Sequence, residues 1–168
     1  LFEAGSHFGF KKARRHPTVT PFLYATKEGS DVIDLAKTSE SLVAAKETLK
    51  EAGSMGKVVL FVGTKDEVSR IVKAAAEKVE APYVTNRWIG GMLTNWSEIK
   101  KRINRLETLT NEKTTGELDR KYTKKERVVI GREATKLEFN FFGISKMTKM
   151  PDLMVVVDPR HDSIAVLE

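Results

Sequence analysis

Chemistry at neutral pH would fall first to His7, His16 and His161, yet none of the three stands at ligand or catalytic spacing to another. Cysteine is absent, so disulfides and thiolate metal sites are excluded, and a reducing compartment is permitted. Gly63-Thr64-Lys65 invites comparison with a phosphate loop, because backbone N–H groups at a helix N-terminus bind anions. The match is poor: a Walker loop needs an earlier glycine and a Lys-Ser/Thr ending, and this turn has neither. Asp158-Pro-Arg-His161 ends an apolar run, where open α/β sheets place ligands, and is the best enzymatic candidate. With no second cluster to support it, a structural turn is the better expectation.

Two other segments have residue types suited to a polyanion. Lys11, Lys12, Arg14 and Arg15 form a dense basic run between Gly9 and Pro17, in a stretch that reads as extended. It suits an arm gripping RNA phosphates, with Phe8, Phe10, Phe22 and Tyr24 expected to anchor it to the core rather than to meet bases. The loop Asn86-Arg-Trp-Ile-Gly-Gly-Met-Leu-Thr-Asn-Trp96 joins an arginine, paired glycines, two tryptophans and two asparagines. Arg87 can pair with phosphate, Gly90 and Gly91 allow close backbone approach, and Trp88 can stack on a base or pin neighbouring helices to the sheet.

These residues need a scaffold, and 168 residues suffice for one core plus an appendage. Val58 to Val62, closed by Gly63, reads as a central strand; Pro82 to Thr85 and Leu153 to Val157 read as two more, and Asp31 to Leu35 as a short extra one. Both long apolar runs are far below the ~20 residues of a membrane span. Leu42, Ala45, Leu49 and Ala52 predict a helix before the first strong strand, stopped at Gly53 to Gly56. Val68, Ile71, Val72, Ala75 and Val79 predict another after it, with Thr64 and Glu67 at capping-box spacing. Such alternation argues for an α/β protein with a mostly parallel sheet and helices on both faces.

Residues 96–149 interrupt this pattern. Trp96, Ile99, Ile103, Leu106 and Leu109 make one apolar stripe, and Ile130, Ala134, Leu137 and Phe141 make another. An antiparallel helical hairpin is expected, inserted into a discontinuous sheet domain of residues 1–95 and 150–168, with its tip between Thr110 and Arg120. The 29 Lys and Arg exceed the 23 Asp and Glu by six, and this whole surplus lies in residues 96–149, which hold 14 basic against 8 acidic residues. Clustered cations reward a polyanionic partner through counterion release. Lys100, Lys101, Arg102 and Arg105 form the expected patch on the hairpin.

Ordered along the chain, Leu1-Phe-Glu-Ala-Gly-Ser-His-Phe-Gly9, Asp31-Val-Ile-Asp-Leu-Ala-Lys-Thr38, Leu60-Phe-Val-Gly-Thr-Lys65, Arg87-Trp-Ile-Gly-Gly-Met-Leu-Thr-Asn95 and Met150-Pro-Asp152 leading to Asp158-Pro-Arg160 resemble the ribosomal protein S-two family end to end. The most specific of these blocks is the one from Arg87 to Asn95. The resemblance implies a flavodoxin-like sheet with a protruding coiled coil, and a structural role without reaction, cofactor or metal. It further implies contacts with small-subunit ribosomal RNA and neighbouring ribosomal proteins, including ribosomal protein S-one in bacterial relatives. A ribosome of the cytoplasm or of an organelle is the implied location; no membrane and no homo-oligomer is expected. Relatives continue with a further apolar strand, so the sheet is expected to be incomplete here, and Phe10, Arg15 and His16 depart from the common bacterial pattern.

The RNA-contacting residues expected are therefore Lys11, Lys12, Arg14, Arg15, Arg87, Trp88, Asn95, Lys100, Lys101, Arg102 and Arg105. A rival is an enzyme using a nucleotide or phosphometabolite above Gly63, Arg87 and Asp158. A third option, a module whose hairpin grips a partner helix, is disfavoured by the polarity of its surface.

Overall fold

A computed structural model describes all 168 residues, which form two compact units, Leu1–Met55 and Gly56–Glu168.

The first unit holds a three-stranded antiparallel sheet, β1 (Phe8–Lys11), β2 (Leu23–Lys27) and β3 (Ser30–Ile33), in the order β1-β3-β2. Glu28 and Gly29 link β2 to β3, both at positive φ (51° and 76°), as a two-residue turn matched to strand twist requires. Only β3 was expected, and it begins at Ser30 and stops at Ile33, because Asp34 ends it by capping the next helix. That helix, α1 (Leu35–Ser54), starts where Asp34 Oδ1 accepts the N–H groups of Ala36 and Lys37 at 2.9 and 3.4 Å. Of its expected apolar stripe only Ala52 is buried, while Leu42 is 43% exposed.

The second unit is built on a parallel sheet of β4 (Val59–Val62), β5 (Tyr83–Val84) and β6 (Leu153–Val156), with β4 in the middle. Parallel neighbours need crossovers, and α2 (Asp66–Lys78) supplies the first. Gly63 is required by packing: a Cβ there would stand 2.9 Å from Val72 Cγ2 and 3.2 Å from Val68 Cγ1. Val72 and Ala76 of α2 are buried, but Ile71, Ala75 and Val79 of the expected stripe face outward.

The second crossover contains α3 (Trp96–Thr114), α4 (Glu117–Lys121) and α5 (Lys124–Phe141). α3 continues past Thr110, where the tip was expected, and ends before Gly116, which at φ 73° turns the chain into α4. Thr123 then opens α5 with a reciprocal capping box: its Oγ1 accepts from Glu126 N–H, and its own N–H donates to Glu126 Oε2 at 2.9 Å. Ile99, Ile103, Leu106 and Leu109 of α3 and Ile130, Leu137 and Phe141 of α5 are buried in one cluster. The same cluster takes in Leu60 and Val62 of β4, Val84 of β5, and Ala165 of α6 (Ser163–Leu167). One core thus joins the helices of residues 96–141 to the parallel sheet.

Candidate nucleic-acid interface

Lys11 ends β1 and Lys12 to Arg14 continue as a single 3-10 turn, so the basic run is bent where it was expected to stay extended. Lys11 and Lys27 both pair with Ser30 and therefore share one face of the antiparallel sheet, two residues along β3 from the Phe8, Val32 and Ala25 rung and, across the bulge, three along β1. Lys11, Lys12 and Arg14 are exposed, and none has an ion pair. Arg15 differs: its guanidinium pairs with buried Asp31, Nε donating to Oδ2 at 2.8 Å, and also donates to Thr26 Oγ1 at 2.6 Å. That guanidinium holds the Asp31 carboxyl below its ordinary range, against burial that acts the other way. Phe8, Phe10, Phe22 and Tyr24, expected as anchors, are 75, 60, 51 and 79% exposed. A sheet this small has no second layer of its own to cover them.

In the second unit the loop after β5 divides its labour. Trp88 is 7% exposed and lies in the core cluster with Val84, Met92 and Ile99, so it pins helices to the sheet and offers no face to a base. Arg87, one residue earlier, is exposed and unpaired. Asn86 donates from Nδ2 to the Phe139 carbonyl of α5 at 2.6 Å. Gly91, at φ 88°, directs its N–H to Glu168 Oε1 at 2.5 Å, and Leu93 N–H reaches Oε2 of the same carboxylate at 3.1 Å. Burial pushes the Glu168 carboxyl up, but these N–H groups, with the Trp88 side chain and the Thr94 N–H, outweigh it and leave it below its usual value. The paired glycines therefore shape a loop that an internal carboxylate secures. Asn95, exposed before α3, accepts on Oδ1 from Ser97 Oγ at 3.3 Å.

The four cations proposed on α3 also separate. Lys101 pairs with Glu98 at 2.6 Å, and Arg105 reaches Glu133 of α5 through Nε at 3.2 Å and a second guanidinium nitrogen at 3.3 Å. Lys100 and Arg102 are exposed with no ion pair. The residues missed by sequence are on α5: Arg132 and Lys136 line a shallow groove with Lys113 of α3, equally unpaired. Helical spacing from Arg132 to Lys136 was visible, but which helix faces remained outside the core was not.

The strand ends expected to hold a nucleotide do converge, since Thr64, Arg87, Trp88, His161 and Asp162 line one small cleft. The groups above β4 that could hold an anion are already taken, although Arg87 at the rim is not. Thr64 gives its N–H to Asp162 Oδ2 at 3.1 Å and its hydroxyl to Oδ1 at 2.6 Å, so Thr64 does not cap α2 as its spacing with Glu67 suggested. Lys65 pairs with Asp158 at 3.2 Å and lowers that carboxyl's pKa. Asp158, at φ 68°, also accepts the His161 N–H at 3.2 Å, which makes the Asp158 to His161 segment a braced turn. His7 stacks on Phe2 with ring centroids 4.5 Å apart and meets the tilted ring of Phe8 at 4.1 Å, and His16 caps a 3-10 turn through Thr18. An incoming phosphate above β4 would meet a carboxylate where a nucleotide site needs free N–H groups. No helix is long and apolar enough to cross a membrane.

The model of the family described as ribosomal protein S2 matches residues 1–168. This chain belongs to the ribosomal protein S2 family. Similar curated proteins include the small ribosomal subunit protein uS2c of Rhodomonas salina, 44% identical over all of this chain and 69% of the relative. That of Porphyra purpurea is 42% identical over the same shares. The small ribosomal subunit protein uS2 of Helicobacter hepaticus is 42% identical over all of this chain and 63% of its own length. Ribosomal protein S2 membership makes the chain a structural, non-enzymatic protein of the small subunit.

Proposed function

We propose that this protein binds small-subunit ribosomal RNA through exposed, unpaired cations on both of its compact units and so holds its place among neighbouring small-subunit proteins. The observation that carries this is the separation of its cations into paired and unpaired sets. Lys11, Lys12 and Arg14 on the first unit, and Arg87, Lys100 and Arg102 on the second, are exposed and make no ion pair, Lys12 acting on Asp31 only through a weak attraction. An unpaired surface cation costs the fold nothing to give to a phosphate, and each phosphate met releases condensed counterions. Arg15, Lys101 and Arg105 would first have to leave Asp31, Glu98 and Glu133. Asn95 adds an exposed neutral amide that can reach a phosphate or 2′-hydroxyl. Specificity comes from the shape of folded RNA, and affinity from several such contacts.

In this proposal α3 and α5 form a coiled-coil hairpin protruding from a flavodoxin-like sheet, a reading supported by their shared apolar seam and by the strand order β5-β4-β6. Docking of ribosomal protein S-one in bacteria, and use in a cytoplasmic or organellar ribosome, belong to the same proposal. Sedimentation tests it: the full-length protein should travel with small ribosomal subunits through a high-salt wash. Release of the wild-type protein at low salt, with no binding to deproteinised small-subunit RNA, would refute the RNA contacts.

A further inference from the structure

Gly131 lies near the middle of α5, although glycine is among the residues a helix interior tolerates least. A Cβ there would meet nothing within 4 Å, and its φ is not positive. Neither internal packing nor backbone conformation asks for glycine at this position. The remaining physical reason is approach from outside, since a bare Cα lets another chain come nearer by the thickness of a methyl group.

The surroundings of Gly131 have the chemistry of an anion's partner. Lys113, Arg132 and Lys136 line the same shallow groove, together with Thr135 and Val128, and no carboxylate lines it. None of the three cations has an ion pair within the chain. Arg132 and Lys136 are four residues apart on α5, which sets their Cβ atoms about 5–6 Å from one another on one face. Phe139, 58% exposed at one end, offers an apolar surface of the kind that meets a ribose or a base.

We infer that this groove on α5 seats a stretch of RNA sugar-phosphate backbone, with Gly131 at the point of closest approach and Lys113, Arg132 and Lys136 on the phosphates. The inference rests on the RNA-binding function proposed above and gives α5 a part of it distinct from Lys100 and Arg102. An acidic protein segment is the lesser fit, because so shallow a groove has no deep socket for the buried side-chain anchor that protein interfaces depend on.

The test compares full-length variants for binding to deproteinised small-subunit ribosomal RNA over a salt series, with thermal midpoints measured in parallel. Gly131→Ala should raise the midpoint and yet weaken RNA binding, a combination that loss of folding cannot produce. Arg132→Gln with Lys136→Gln should lower the slope of log affinity against log salt by about 1.4–1.8, two contacts' worth, whereas Lys46→Gln with Lys50→Gln on α1 should leave it unchanged. If the groove variants bind like wild type while Lys100→Gln with Arg102→Gln weakens binding, the groove inference falls and the general proposal stands. If the groove variants keep RNA binding but fail to join particles containing the other small-subunit proteins, the groove holds a protein and the inference is overturned. If wild type itself does not bind the RNA, the general proposal fails first.

Discussion

Asp162 receives both the N–H and the hydroxyl of Thr64 on its carboxylate, at 3.1 and 2.6 Å, across 98 residues of sequence. The pair ties the end of the central strand to the turn before α6, in the position where an α/β nucleotide-binding protein would hold phosphate. Asp162 is 4% exposed, so its removal would leave buried donors without an acceptor. Asp162→Ala should destabilise the protein by about 1–3 kcal/mol in urea titrations. It should create no nucleotide affinity by calorimetry, since Lys65 remains paired with Asp158.

Trp88 should behave as a core residue. Trp88→Ala should cost about 3–5 kcal/mol of stability, and Trp88→Phe much less, because a smaller ring still fills part of the space among Val84, Met92 and Ile99. RNA affinity of the folded Trp88→Phe protein should equal that of wild type in a filter-binding titration. A selective loss of RNA binding at unchanged stability would assign the indole to the RNA.

Paired and unpaired cations on α3 should separate in salt dependence. Lys100→Gln with Arg102→Gln should flatten the salt slope by about 1.4–1.8. Lys101→Gln with Arg105→Gln should change it less, because Glu98 and Glu133 already neutralise those cations. Loss of the exposed Arg105–Glu133 pair should cost at most about 1 kcal/mol of stability.

Acid should weaken the fold through its paired carboxylates. Arg15 holds Asp31 low, Lys65 holds Asp158 low, and the Val58 N–H, ahead of Lys149, does the same for Asp152. An unfolded aspartate titrates near about 3.9, above these folded values. Each pair therefore contributes its full stability above about pH 4 and loses it as pH falls through the folded pKa. Asp31→Asn should be less stable than wild type at neutral pH, with the gap closing below about pH 4 in urea midpoints measured across pH.

Local signals were legible where they did not depend on distant partners. The strands at β4, β5 and β6, the helices at α2, α3 and α5, and the seam of Ile99, Ile103, Ile130 and Leu137 follow from period and turn residues. The antiparallel sheet of the first unit was hidden apart from β3, because β1 is short and bulged and the Glu28-Gly29 turn places a glutamate at positive φ. Ile71 and Val79 match the helical period of α2 yet point outward, since period fixes a face but not what covers it.

Thr64/Glu67 and Thr123/Glu126 share one capping spacing and have opposite outcomes. Sequence alone determined the cationic surplus of residues 96–149, the absence of thiol chemistry, and the blocks that carry family membership. Only tertiary structure decided that Thr123 caps its helix while Thr64 is drawn away by Asp162, and that Arg15 and Arg105 are spoken for while Lys113, Arg132 and Lys136 stay free. The reason is range: composition and period belong to neighbours along the chain, whereas the partner of a hydrogen bond or charge is whichever group folding brings within about 3 Å.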